Sequence, residues 1–438
     1  MLFHAAQMLT FHGPDRARRG AELQDPGLVR DGAVLFRAGR IVAAGTTDAL
    51  AHRLRKYRIP PSRLREINCR GRLLTPGLVD SHTHLVFAAP RLDDFERRIA
   101  GWDSARILAA GGGILESVRH LRASPDSLLL KSARARLRIM RAQGVTTVEI
   151  KSGYGLSVSE ELRILRLSQL AAGAEGLDAA LTLLGAHAVP MEFAGRRQAY
   201  LRLLRDQLLP AVRVMRPKLS LAPSRLNLAT LRKQNPIAEF VDVFCDPLAF
   251  TLPEARAWLR AARRYGFRLK IHADQTADSG GAALAAQLGA VSADHLDFTP
   301  PPARRRLANS STVATFLPGV SLFMNRPFPA ARDWIADGAA INLASDFNPG
   351  TAPLLSLPLV MALGCDAMRL TPAEAWHAVT LNAAAALNRE RLCGSLMPGK
   401  RADLALFDTD DFRAVPYLLG GNLCAGVWCA GHWHPAGK

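Results

Sequence analysis

The stretch that decides the fold reads Pro76-Gly-Leu-Val-Asp80-Ser-His82-Thr-His84. Its apolar residues predict a short buried strand that ends close to Asp80. Residues two apart in a strand point to the same side, so His82 and His84 would aim two imidazoles into one space. Imidazole is a common ligand for Zn and Fe, but surface histidines also produce a His-x-His pair by chance. The other strands therefore decide whether this pair belongs to a metal site.

Short apolar strands alternate with helical segments through the middle of the chain, which is typical of a parallel α/β domain. Glu160–Ala171 and Pro372–Leu387 are among the predicted helices. Eight strands over about 320 residues predict an α/β fold with a distorted (β/α)₈ TIM-like barrel. A doubly wound open sheet is the alternative, but Gly111-Gly-Gly-Ile114 lacks the spacing of a dinucleotide-binding loop. The predicted barrel strands are Leu73–Asp80, Gly144–Ile150, Ala180–Ala186, Phe240–Cys245, Arg268–Ala273, Ala290–His295, Thr312–Leu317 and Ala340–Asp346.

Both ends of the chain carry short β-rich segments punctuated by glycine. Asp31–Phe36 and Gly39–Gly45 predict two strands joined by a turn, and Ala402–Asp408 and Gly426–Gly431 predict two more. We therefore expect a small β-sandwich domain built from both chain ends, residues 1–72 and 394–438. The barrel would occupy residues 73–393.

Several predicted barrel strands end in a residue that can bind a metal. The fifth ends at His272, the sixth at His295 and the eighth at Asp346, and His187 follows the third. A single buried histidine is usually structural, but several at equivalent strand ends are hard to explain in that way. Three histidines and one carboxylate would hold a divalent metal and leave room for water, whose pKa the metal lowers toward ~7.

The composition is that of an ordinary folded protein, with 49% hydrophobic and 21% charged residues in 438. It excludes intrinsic disorder, collagen-like sequence and coiled coil. No apolar run reaches the ~18 residues of a membrane span, and the start lacks the pattern of a secretory signal. Six cysteines in so long a chain do not make a disulfide framework. They indicate reduced thiols and favour a cytoplasmic location.

The chain is strongly basic, with 56 Lys and Arg against 38 Asp and Glu and a formal charge of +18. Nucleic-acid binding is one interpretation of this charge. The basic residues are scattered, however, and no interleaved aromatic residues accompany them, which argues against a nucleic-acid partner. A small anionic substrate would also suit a positive field.

The quoted motif resembles the first-strand motif of the amidohydrolase superfamily. Gly394-Ser-Leu-Met-Pro-Gly-Lys-Arg-Ala-Asp403-Leu is similar to that superfamily's return to its small β-domain. Within the superfamily, the chain resembles the imidazolonepropionase family of histidine degradation. The matching stretches are His84–Arg91, Gly111–Ile114, Glu149–Leu156, Leu184–Pro190, Phe244–Asp246, His272–Gln275, Ala293–Leu296, Leu317–Gly319 and Ser345–Gly350.

The resemblance implies one metal ion, Zn or Fe, divalent or trivalent, held by His82, His84, His272 and Asp346. Many relatives hold two metals bridged by a carboxylated lysine on the fourth strand. The corresponding stretch, Val241-Asp-Val-Phe-Cys245, has no lysine, and this favours a single metal.

The substrate implied is 4-imidazolone-5-propanoate, whose ring opening gives N-formimidoyl-L-glutamate. Arg91 would grip the propionate, because guanidinium is a natural fork for a carboxylate. Asp346 or His295 would take a proton from the attacking water and return it to the leaving ring nitrogen. Gln275 could only orient substrate or water, because an amide does not titrate near neutrality. The other residues implied in substrate binding are Tyr154, His187, Asn348, Gly350 and Thr351.

Three features depart from the family pattern. Ser104 stands where members often carry a tyrosine, and position 275 is Gln where others carry Glu. Val212–Pro236 is a longer, basic segment without an assigned role. The resemblance also carries the expectation of a homodimer and of no membrane contact.

Two other functions stay open at this point. One is another mononuclear amidohydrolase or deaminase that acts on a heterocyclic ring. The other is a catalytically silent protein that binds polyanions through its charge. The guanidinium of Arg91 disfavours the first, because a neutral base needs no such partner, and the full ligand set disfavours the second.

Overall fold

Two β-sheets organise the protein, which is described here by a computed structural model covering residues 1–56, 58, 60, 62, 64–217 and 236–437. In chain order the strands are β1 Leu2–Leu9, β2 Leu28–Arg37, β3 Arg40–Thr46, β4 Ile67–Asn68, β5 Leu73–Pro76, β6 Leu78–Asp80, β7 Val145–Lys151, β8 Asp178–Ala186, β9 Phe240–Cys245, β10 Arg268–Ala273, β11 Ser292–His295, β12 Val313–Phe316, β13 Ile341–Leu343, β14 Leu404–Phe407, β15 Cys424–Cys429 and β16 His432–Pro435.

Helices connect the strands. The described α-helices are α1 Thr47–Lys56, α2 Leu92–Ile99, α3 Ser104–Ala109, α4 Ile114–Ala123, α5 Asp126–Ala142, α6 Val158–Glu175, α7 Arg197–Leu203, α8 Leu209–Val214, α9 Leu252–Arg264, α10 Gly281–Leu288, α11 Pro301–Ala308, α12 Pro318–Phe323, α13 Ala331–Ala336, α14 Leu357–Asp366, α15 Pro372–Ala378, α16 Leu381–Ala385 and α17 Ala414–Tyr417. The predicted helix Glu160–Ala171 lies within α6. The predicted helix Pro372–Leu387 is two helices, because the backbone leaves the helical region at Thr380, where ψ is −94°.

Strands β6 to β13 form the barrel sheet, and every neighbouring pair in it is parallel. The strands follow one another in chain order with helices between them. This is the predicted (β/α)₈ barrel. Its two edge strands, β6 and β13, meet through the residues that follow them. His84 N–H donates to the Phe347 carbonyl at 2.8 Å, and Asp346 N–H donates to the His82 carbonyl at 3.0 Å.

The second sheet is mixed and combines strands from both chain ends in the order β16-β15-β14-β5-β1-β2-β3, with β4 beside β1. Leu2, Met8, Leu74, Leu404 and Trp428 are buried together on it. Because these side chains come from the first and the last part of the chain, their burial joins both chain ends in one domain. The expected small β-domain from both chain ends is therefore present.

The predicted first barrel strand, Leu73–Asp80, is two strands in different sheets. Leu73–Pro76 pairs antiparallel with β14, whereas Leu78–Asp80 pairs parallel with β7. The chain changes partners at Gly77, where a Cβ would lie 2.2 Å from Oγ1 of Thr146. Only glycine lets the backbone pass this close to Thr146. One continuous stretch of sequence therefore contributes a strand to each of the two sheets.

The basic segment Val212–Pro236 is described only at its ends. Arg213 lies in α8 and Arg216 follows it, while residues 218–235 lie outside the described residues. Across the described part of the chain, no helix combines the length and the apolar character needed to cross a bilayer. All six cysteines are free thiols.

Candidate active site

Four predicted metal ligands converge at the carboxyl ends of the barrel strands. Nε2 of His84 lies 3.3 Å from Nε2 of His82 and 3.3 Å from Nε2 of His272. Oδ1 of Asp346 lies 3.3 Å from Nε2 of His82 and 3.4 Å from Nε2 of His84. All four residues are buried. The structure therefore brings together side chains from β10 and from the segments that follow β6 and β13.

These separations suit a metal ion. Zn–N and Zn–O bonds are about 2.0–2.1 Å, so tetrahedral ligands lie about 3.3–3.4 Å from one another. Among the described residues, Oδ1 of Asp346 has no hydrogen-bond partner although it is buried. A buried, unpaired carboxylate oxygen is costly unless a cation or a proton donor meets it. The donor set and its spacing thus fit a Zn- or Fe-sized ion.

Local backbone conformation aims two of the site residues. Asp346 has φ 50° and His295 has φ 80°, in the left-handed region that residues with a Cβ seldom adopt. Such conformations cost on the order of 1–3 kcal/mol each and persist where the surrounding structure imposes them. The closing hydrogen bonds between the segments after β6 and β13 impose the turn at Asp346.

Two buried carboxylates hold the far sides of two ligand rings. Oδ2 of Asp294 lies 2.7 Å from Nδ1 of His82, and Oδ2 of Asp242 lies 3.0 Å from Nδ1 of His272. A carboxylate at Nδ1 fixes the tautomer of the ring and leaves Nε2 free for a metal. The sequence argument assigned no role to Asp242 or Asp294.

His295 lies beside the ligand cluster. Its ring centroid is 5.7 Å from that of His82 and 5.3 Å from that of His272. Burial lowers the pKa of His295 well below its ordinary value, so the ring is neutral near pH 7. Burial raises the pKa of Asp346, but His82, His295 and His272 together outweigh burial and the net direction is down. Both predicted proton carriers are therefore in their basic forms.

Buried aromatic rings adjoin the cluster on the side of His84. The rings of His84 and His187 stack at 5.2 Å, and Tyr154 lies 5.5 Å from His187. Nδ1 of His187 donates a hydrogen bond to the Gly153 carbonyl at 2.9 Å. Burial lowers the pKa of His187 to about 3, so Nε2 carries a lone pair that can accept a hydrogen bond from a ligand.

Arg91 is a buried guanidinium with few protein partners. It is 8% exposed, and among the described residues its Nε has no hydrogen-bond partner. Oδ2 of Asp94 is 3.9 Å from its Nη1, beyond hydrogen-bond distance. A buried guanidinium with unused donors is ready to bind an anion.

The segment after Asp346 forms the surface against which the Arg91 guanidinium packs. Oδ1 of Asn348 accepts from the backbone N–H groups of Gly350 and Thr351 at 2.9 and 2.7 Å, and its Nδ2 donates to the Asp346 carbonyl at 2.8 Å. Its amide therefore shapes the loop. Gly350 faces the guanidinium, and a Cβ there would lie 1.9 Å from Cζ of Arg91.

Gln275 lies in the bend after β10, three residues past His272, and is half-buried.

Comparisons with known proteins identify the family of the chain. The model of the amidohydrolase family matches residues 88–433. Imidazolonepropionase of Chloroflexus aggregans is 44% identical over 98% of this chain and 96% of that protein. The same enzyme of Symbiobacterium thermophilum is 40% identical over 98% and 95%. A mutant atrazine chlorohydrolase of Arthrobacter aurescens TC1, solved with zinc and atraton, shares the fold with TM-score 0.67 at 17% identity over 99% and 94%.

The parallel barrel with a histidine–aspartate cluster at its strand ends defines a hydrolase of the amidohydrolase class. Eight relatives named imidazolonepropionase are 37–44% identical to this chain over nearly its whole length. This identity narrows the class to one family. The chain belongs to the imidazolonepropionase family.

Proposed function

We propose that this chain hydrolyses the ring C–N bond of 4-imidazolone-5-propanoate and releases N-formimidoyl-L-glutamate. One observation carries the proposal: a cluster with metal-ligand spacing accompanies a buried guanidinium whose Nε, among the described residues, has no hydrogen-bond partner. The substrate combines a hydrolysable lactam with a carboxylate, and the site offers a partner for each.

His82, His84, His272 and Asp346 are the proposed ligands of one Zn or Fe ion. The bound ion would polarise the lactam carbonyl and make a water molecule acidic enough to attack near neutral pH. A single ion is favoured because the fourth barrel strand supplies Asp242 rather than a lysine, and that carboxylate already faces His272.

The pocket residues orient the substrate. Arg91 binds the propionate with its unused donors, a geometry that suits a carboxylate. Nε2 of His187 accepts a hydrogen bond from a ring N–H, because Nδ1 is committed to Gly153. Tyr154 packs against the ring, Asn348 and Thr351 keep Gly350 beneath Arg91, and Gln275 orients substrate or water.

Asp346 or His295 moves the proton. The attacking water loses a proton to one of them as its oxygen bonds to the carbonyl carbon. His295, when protonated, donates to the developing oxyanion. The C–N bond then breaks, and the same proton passes to the leaving ring nitrogen.

Ring opening of freshly prepared imidazolonepropionate, followed by ultraviolet absorbance, tests the proposal. We expect turnover by the metal-loaded protein, loss of turnover after chelation, and recovery when Zn²⁺ or Fe²⁺ is added back. Guanine, cytosine and adenine should not react, since they carry no carboxylate for Arg91. Turnover of one of these bases without turnover of imidazolonepropionate would contradict the proposal.

The cellular setting is part of the proposal. We place the enzyme in the cytoplasm because its cysteines are free thiols, which persist in a reducing compartment. A small anion is its partner, with no role for nucleic acid or membrane. The homodimer stays a prediction, which light scattering of the purified protein would test.

A further inference from the structure

Five fully buried charged residues fill the barrel interior and form a barrel charge cluster: Glu149, Lys151, Asp242, Lys270 and Asp294. Burying a charge costs several kcal/mol even after the protein relaxes, and hydrophobic side chains of the same size would often be at least as stable. Packing alone therefore does not explain why the cluster is there. Two of its carboxylates are those that face His82 and His272.

Lys151 joins these two carboxylates. Its Nζ lies 2.8 Å from Oδ2 of Asp242 and 3.5 Å from Oδ2 of Asp294. Burial lowers the pKa of Lys151, but Asp242, Glu149 and Asp294 outweigh burial, and the lysine is charged. The Lys151 ammonium on β7 thus holds both Asp242 and Asp294 in position. These two carboxylates orient the ligand rings of His272 and His82.

Lys270 is equally buried and faces two of the carboxylates that Lys151 also faces, Glu149 and Asp294. Its Nζ lies 2.8 Å from Oε2 of Glu149 and donates to the Ser81 carbonyl at 3.1 Å. Asp294 is 3.9 Å away. Of the two lysines, Lys151 is the one that reaches Asp242, the carboxylate beside His272, and it also lies closer to Asp294.

We propose that Lys151 is a positioning residue for the metal site, an inference that rests on the proposed function. A ligand ring binds metal tightly only when its rotation is fixed beforehand, and the partner at Nδ1 fixes it. Without Lys151, Asp242 and Asp294 lose a shared counter-ion and can move within the barrel. His82 and His272 then lose orientation together.

The test compares Lys151→Met with Lys270→Met in the full chain. Zn²⁺ affinity is measured by competition with a chromophoric chelator, and the visible spectrum of the Co²⁺-loaded protein reports ligand geometry. We expect Lys151→Met to bind Zn²⁺ about 10–100-fold more weakly, as loss of an outer partner usually does, and to alter the Co²⁺ spectrum. Lys270→Met keeps the ion pair between Lys151 and Asp242, so it should lose less affinity than Lys151→Met and change the spectrum less.

Lys151→Gln serves if Lys151→Met does not fold, because it keeps N–H donors for the two carboxylates. An intermediate loss of affinity is expected for it. Wild-type affinity and spectrum in a folded Lys151 variant would overturn the inference, and so would equal losses in the Lys151 and Lys270 variants. If the wild-type chain itself binds no metal, it is the proposed function that fails.

Discussion

Two buried charge clusters lie at opposite ends of the barrel. The barrel charge cluster is at the carboxyl ends, where its carboxylates face ligand histidines. The other, the basal cluster, lies where strands begin, since Asp178 is the first residue of β8 and Glu239 immediately precedes β9. The basal cluster consists of Asp178, Glu239, Arg389, Arg401 and Asp403.

The clusters differ in what their carboxylates meet. Arg389 Nε lies 3.2 Å from Asp178 and Arg401 Nη1 lies 3.0 Å from the same carboxylate. Asp403 pairs with Arg401 and accepts from the Ala430 N–H at 2.8 Å. These pairs satisfy one another and fasten the barrel to the mixed sheet. Ion pairs thus stabilise the fold at one end, where the Glu239 side chain is 23% exposed, and orient ligands at the other, where the charged side chains are fully buried.

The largest effect should come from removing a ligand. His272→Ala should lose bound metal and retain less than about one thousandth of turnover, because the ion contributes several kcal/mol of transition-state stabilisation. Metal content by atomic emission and the ring-opening assay measure both losses. His377→Ala is the matched control, since His377 is a buried histidine that hydrogen-bonds the Asp25 carbonyl outside the site. Full activity in folded His272→Ala would remove His272 from the ligand set.

A substitution in the basal cluster should lower the stability of the fold and leave metal binding unchanged. Arg389→Met leaves Asp178 and Glu239 without their shared guanidinium, and we expect the free energy of unfolding to fall by about 3 kcal/mol. Zn²⁺ affinity and KM of the folded fraction should stay at wild-type values. Urea unfolding followed by circular dichroism, with metal titration beside it, measures both. A parallel loss of metal affinity would show that the two ends are coupled and would undo the comparison.

The strand pattern predicted most of the barrel, because buried parallel strands are short apolar runs separated by helical segments. It missed the change of sheet at Gly77, since residues 73–79 carry no charge and hydrogen-bond partners leave no mark on such a run. The ligand cluster was predictable for a different reason. Parallel strand ends meet at one edge, so His82, His272 and Asp346 were expected to lie close together.

The barrel charge cluster was missed although its signal was present. Lys270 lies two residues before His272 in one buried strand, and Lys151 lies two after Glu149, so alternation directs each pair to the same side. A charge inside a buried strand is expensive, and on the ligand side it points to an outer partner of the site. The contact between Arg91 and Gly350 could not be predicted from the sequence, because it depends on the packing of two distant segments.

Replacing Arg91 should weaken substrate binding more than it slows the chemical step. Arg91→Ala should raise KM about 30-fold or more, equivalent to about 2 kcal/mol, and change kcat little. Arg91→Lys should recover part of the loss, since it restores the charge without the planar fork. Steady-state kinetics with imidazolonepropionate measure the two parameters. Wild-type KM in Arg91→Ala would assign the propionate to another residue.

The smallest effect tests how Arg91 is seated. A Cβ at Gly350 would lie 1.9 Å from Cζ of Arg91, so Gly350→Ala must displace the guanidinium. We expect KM to rise about tenfold while metal affinity stays constant, because binding of the carboxylate weakens and the ligands are untouched. Gly45→Ala is the control, since its nearest neighbour is the flexible Leu50 side chain at 3.3 Å in the mixed sheet. Combining Gly350→Ala with Arg91→Ala should add little to Arg91→Ala alone. Additive losses would mean that Gly350 acts on the substrate by a route other than Arg91.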